Sequence, residues 1–195
     1  LLEAFSINSI YHAISFVSLP VMIIALFVGW KSINTRCLLL MLVALELMDT
    51  IFTEIAISWG NYYYLCVFII SWAYVYVVFA RRLIVAKLKS RSRLCKDVYD
   101  HFYFTRQEGA LLFVYISYVF VTFIALVELG LFVLYVIDSF PYIRYLFSPL
   151  LTFFCLMEAI VILWLATRTA PVDEHVLAMK HARKMRRNSH SDRRK

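Results

Sequence analysis

The chain has 195 residues, 63% of them hydrophobic and 17% charged, with a mean hydropathy of +0.75 and a net charge of +7. Soluble domains are nearer ~45–50% apolar, so this composition argues against an ordinary water-soluble globule. The positive charge does not indicate a nucleic-acid partner, because the basic residues flank long apolar runs, where they fix orientation and meet anionic lipid headgroups.

Five apolar runs follow one another, at about residues 10–30, 37–57, 62–80, 109–137 and 145–167. Each reaches or exceeds the ~18–20 residues that a helix needs to cross a bilayer. Continuous runs such as Leu38 to Leu45 do not alternate, which excludes membrane-spanning strands. The first run is too long, and too weakly preceded by positive charge, to be a signal peptide. The expected fold is all-α: a polytopic membrane bundle of five transmembrane helices over residues 1–167. Residues 168–195 follow as a basic, partly disordered tail.

Nineteen of the 20 Lys and Arg residues fall in three stretches: Lys31 and Arg36, eight residues from Arg81 to Arg106, and nine from Arg168 to Lys195. The remaining connections are almost free of positive charge. The positive-inside rule then places the N-terminus outside and the C-terminus in the cytoplasm. A plasma or bacterial inner membrane fits best. Trp59, Tyr62, Tyr63 and Tyr64, and further on Tyr142 and Tyr145, stand at the outer boundary as an aromatic belt, with Trp30 at an inner end.

Span two departs from the apolar pattern. It carries Glu46, Asp49, Thr50, Thr53 and Glu54, which share one arc of about 140° on a helix. Glu128 in span four and Glu158 in span five are also acids at membrane depth. Each costs ~2.5–3.5 kcal/mol or more at the bilayer centre, so each needs a partner, water or a proton. Counting ~1.5 Å per residue from Arg36 and from Arg168 puts Glu46 and Glu158 at equal depths, about 15 Å. They would meet if spans two and five pack together, with Asp49 and Glu128 meeting further out. No Lys or Arg lies mid-span, and His12 near the outer end of span one is the sole basic candidate. Acids carrying protons can bond to Thr50, Thr53, Ser71 or Tyr74 and act as packing contacts. Acids carrying charge can line a path for cations or protons.

The inner loop, residues 81–108, opens with Arg81, Arg82, Lys87 and Lys89 interleaved with apolar residues. That pattern predicts a helix lying on the membrane surface, with these cations on anionic headgroups. Thr105 and Glu108 have the spacing of a capping box at the start of span four. Asp97, Asp100 and His101 resemble a solvated charged loop more than a metal site. In the tail, Pro171 interrupts any emerging helix, and Arg186, Arg187, Asn188 and Ser189 match the short pattern favoured by basophilic kinases.

The four cysteines form no CxxC pair and are expected as small packing residues, not a disulfide framework. HExxH, GxSxG and GxGD signatures are absent, as are arginines at every third position within a span. Neither an enzyme, a metal site, a cofactor nor a voltage sensor is expected. The sequence points to a small membrane protein handling cations or protons through its carboxylates, as a homo-oligomer or with a membrane-complex partner. The alternative is a non-catalytic accessory or assembly subunit whose acids make helix–helix contacts.

Overall fold

The computed structural model describes residues 7–57, 62–90 and 92–167, with α1 side chains from residue 18 onward. Every regular element among them is helical. In chain order these are α1 (Ile7–Val28), a 3-10 turn (Gly29–Lys31), α2 (Ile33–Ile57), α3 (Tyr62–Phe79), α4 (Arg81–Leu88), α5 (Arg93–Asp100), α6 (Arg106–Val133), a π-helical segment (Tyr142–Phe147) and its continuation α7 (Ser148–Thr167). Three stretches are long and apolar enough to cross a membrane: Tyr62–Phe79, Arg106–Val133 and Tyr142–Thr167. Helix α2 has 25 residues but also three acids, and the described apolar part of α1 is Ser18–Val28.

The five long helices close into a ring in the order α1, α2, α3, α6, α7, and α7 packs back on α1. Ring pairs Phe68–Phe123 and Tyr74–Tyr115 show that α3 and α6 run antiparallel. Met22, Ala25, Leu38, Leu39, Leu42, Leu111, Ile162 and Leu165 fill the middle at 0–2% exposure. Large apolar side chains such as Phe27, Ile51, Phe79, Phe113 and Ile160 cover the outside. A water-soluble fold would bury them, whereas lipid tails solvate them at no cost. Close packing, rather than water exclusion, is then what holds such helices together.

The two ends of the ring differ. At the basic end, Gly29 turns the chain against α7. A Cβ there would lie 3.1 Å from Thr35 Cγ2 and 3.4 Å from the Ala166 backbone. Helices α4 and α5 pack on each other and α5 packs on α2, so the stretch expected as a surface helix followed by a charged loop is a folded cap of two helices. Its small core joins Ile33 and Cys37 to Val85, Cys95 and Val98. All four cysteines are free thiols.

The capping box expected at Thr105 is present. Glu108 N–H donates to Thr105 Oγ1 at 3.2 Å, and Thr105 N–H donates to Glu108 Oε2 at 3.1 Å. The same carboxylate does more. Arg81 Nη1 and Nη2 donate to Glu108 Oε1 and Oε2 at 2.6 and 3.1 Å, and Nη2 also donates to the Tyr103 carbonyl at 3.1 Å. Both side chains are 1% exposed. This corrects the surface role expected of Arg81. The helix bends at Ala80, and the first guanidinium after the bend turns inward onto the Glu108 carboxylate. Arg82, Lys87 and Lys89 are exposed.

At the aromatic end, α6 stops at Val133 instead of running to residue 137. Val136 N–H donates to Leu131 O, Tyr135 N–H donates to Phe132 O, and Tyr135 adopts φ 57°. This is a Schellman termination with a tyrosine where glycine is usual. The chain then returns at Pro141 into the last helix. Trp59, His12 and the tail beyond Thr167 lie outside the residues whose side chains are described.

Candidate functional site

Four side chains from four helices meet near the middle of the ring. Glu46 of α2 accepts a hydrogen bond from the Tyr74 hydroxyl of α3. Glu158 of α7 accepts one from the Tyr115 hydroxyl of α6 at 2.7 Å. Between the two carboxylates the tyrosine rings lie against each other, 5.0 Å between centroids and tilted by 35°. All four are buried: Glu46 9%, Tyr74 7%, Tyr115 2% and Glu158 7% exposed. Tyr115 and Glu158 each lie nine residues from the basic end of their helix, about 13 Å at 1.5 Å per residue, so the layer is level across α6 and α7.

The equal depth expected for Glu46 and Glu158 therefore places both in one layer, yet they do not touch. The ring order puts α3 and α6 between α2 and α7, and two tyrosines bridge the gap. Tyr74 was legible as a donor on span three. Tyr115 was not, although counting from Arg106 gives it the depth of Glu158.

The other acids divide by location. Asp49, one turn from Glu46, accepts from Thr53 Oγ1 at 3.1 Å and lies within electrostatic reach of Tyr63 and Tyr74 of α3. Thr50 is exposed at the edge of the shared arc and donates to its own helix at Glu46 O, 2.9 Å away. The expected arc is thus split: Glu46, Asp49 and Thr53 turn inward, and Thr50 turns out. Glu54 lies in the last turns of α2, with its side chain outside the described ones. Glu128 is held at the aromatic end. Its Oε1 and Oε2 accept the N–H groups of Tyr142 and Ile143 at 2.8 and 2.7 Å. Those amides open the last helix and have no partner within it, so the carboxylate caps a helix start and meets its dipole favourably. Glu128 pairs there, rather than with Asp49.

The groups facing the layer come from each of four helices: Asp49 beside Glu46, Tyr63 and Tyr74 on α3, Tyr115 and Tyr118 on α6, and Cys155 and Glu158 on α7. Among the described residues no cation joins them. Hydroxyls that donate to carboxylates can also pass a proton on by reorienting, so the arrangement can hold, share and relay protons. A sodium or potassium ion would need several oxygens to replace its water shell at once. Glu46 and Glu158 instead spend their contacts on hydroxyls in a packed interior. Among the described residues no group of three or more His, Cys, Asp and Glu side chains is placed to hold a metal ion. No protein family, curated protein or solved structure matches the chain.

Proposed function

We propose that this chain is a five-span membrane protein, N-terminus outside and C-terminus in the cytoplasm, that takes up and passes protons at the Glu46–Tyr74–Tyr115–Glu158 layer. One observation carries the reading: two buried carboxylates with no cation beside them among the described residues, each bonded to a tyrosine of a neighbouring helix, with the two tilted tyrosine rings in contact between them. Acids at bilayer depth are costly and characteristically serve ion or proton paths. Because Glu46 turns into its own ring, the path lies within one chain, whatever number of copies assemble. Asp49 and Thr53 extend it along α2. Arg82, Lys87 and Lys89 support the orientation, sitting where anionic headgroups of the cytoplasmic leaflet would meet them.

The test is purified protein in liposomes with a trapped pH-sensitive dye. Glu46→Gln with Asp49→Asn keeps shape and much of the hydrogen bonding but removes titration. Proton flux present in the wild type and lost in the pair supports the reading. Absence of flux under every pH and potassium gradient overturns it for the isolated chain.

A second reading has its own support. Glu46, Asp49, Glu128 and Glu158 each have a hydrogen-bond partner inside the chain, as acids used for packing do. On that reading the chain is a non-catalytic accessory subunit. The same double substitution would then alter stability or assembly and leave flux untouched.

A further inference from the structure

The two sides of the Glu–Tyr layer are built differently. Toward the basic end, every inward position next to the layer is apolar: Leu42 and Leu38 on α2, Val78 on α3, Leu111 on α6, Ile162 and Leu165 on α7, all at 0–2% exposure. From Glu158 to Leu165 is seven residues, about 10 Å of dry packing at 1.5 Å per residue. Beyond it stands the buried Arg81–Glu108 pair, each charge already spent on the other. Toward the aromatic end, the described apolar side chains buried to 2% or less are only Ala56 and Ala125. There α6 and the last helix pack an apolar cluster of Val121, Ala125 and Phe147, but the α2 and α3 side carries polar groups, half-buried Asp49, Thr53 and Tyr63 with buried Ser71. Asp49 bonds Thr53, and Tyr63 on the neighbouring α3 lies within its electrostatic reach, so polar groups continue from Glu46 toward the aromatic end along α2 and α3.

We infer that the carboxylate layer exchanges with water from the aromatic-end face alone, through the α2–α3 seam at Asp49, Thr53 and Tyr63, and is sealed from the basic-end face by the apolar layer around Leu42, Leu111 and Ile162. Narrow apolar constrictions close to water and ions by dewetting, without any blocking group. A polar seam carries hydration or a chain of hydroxyls. The device is thus a one-sided proton site. Net transfer across the membrane requires the apolar layer to part, so the layer is the gate and the seam is the entrance. The inference deepens the proton reading and rests on the membrane orientation proposed above, but it concerns water access, which can be read without protons.

The experiment uses the full chain with its four native cysteines replaced by alanine, reconstituted in one orientation, with single cysteines at Thr53, Leu42 or Leu111. Silver ion, a thiol reagent the size of a bare cation, is applied from one face and quenched. The protein is then denatured, and a maleimide counts the surviving thiols. Thr53→Cys is expected to lose its maleimide signal after exposure from the aromatic-end face and to keep it after exposure from the other. Leu42→Cys and Leu111→Cys are expected to keep theirs from both. Loss of signal at Leu42→Cys or Leu111→Cys from the basic-end face overturns the inference, as does an unreactive Thr53→Cys from both faces. Proton flux measured on the same cysteine-free chain separates the two ideas: asymmetric silver access without flux retains the access path and removes the proton reading.

Discussion

Removing Arg81 tests the bent, folded cap at the basic end most severely. Its guanidinium makes two bonds to Glu108 and one to a backbone carbonyl, with both side chains 1% exposed. Arg81→Met keeps most of the volume and leaves Glu108 buried with Thr105 N–H as its remaining described donor. Breaking a buried pair by deleting one partner costs about 3–5 kcal/mol, because the other charge is stranded. Glu108→Gln keeps the shape and strands Arg81 instead, at a similar cost. The double variant strands neither charge. Its cost should fall to about 1 kcal/mol, the value of the lost neutral bonds. The two single losses therefore should not add, and the cycle should show a coupling of several kcal/mol. Equilibrium unfolding in mixed micelles, followed by tryptophan fluorescence, gives all four stabilities. Additive single effects of less than about 1 kcal/mol each would refute the reasoning, since that is how a solvated surface pair behaves.

Other perturbations follow from single contacts. Tyr115→Phe leaves Glu158 without its hydroxyl and should cost about 1–3 kcal/mol in the same unfolding assay. Glu128→Ala frees the Tyr142 and Ile143 amides and should cost a similar amount, with faster amide exchange confined to the start of the last helix. Gly29→Ala should destabilise by about 1–3 kcal/mol through the 3.1 Å approach to Thr35 Cγ2, and Thr35→Ser, which deletes that methyl, should restore part of the loss. Tyr135→Gly should raise stability by up to about 1 kcal/mol, since the left-handed conformation is costly for a tyrosine and free for glycine. Cysteines at Ser90 and Ser191 should be labelled from the same face of the membrane; labelling from opposite faces would overturn the proposed orientation.

Much of the fold was legible because apolar run length is a direct physical signal. The five runs became the five long helices, and Thr105 with Glu108 marked the start of α6 to the residue. Depth along a helix was also legible, which is why Glu46 and Glu158 fall in one layer. Lateral order was not. Nothing in the spacing of α2 and α7 says that α3 and α6 stand between them, so a direct carboxylate contact was expected where Tyr74 and Tyr115 intervene. Arg81 was misread for a related reason. Beside Arg82, Lys87 and Lys89 it looks like one more surface cation, and only the bend at Ala80 turns it onto a residue 27 positions away. Glu128 appeared to be a membrane acid in need of a path, but the chain returning through Pro141 brings it two backbone donors. In each case the residue type was informative and the partner was a product of packing.

The central claim is that protons reside on the Glu–Tyr layer, and infrared titration of the carboxyl groups in reconstituted protein tests it most directly. The account predicts a protonated-carboxyl band that changes with pH, loses one component in Glu46→Gln and another in Glu158→Gln, and shifts in frequency in Tyr74→Phe and Tyr115→Phe. A spectrum without any pH-dependent carboxyl band, or with bands untouched by either glutamine substitution, would contradict it.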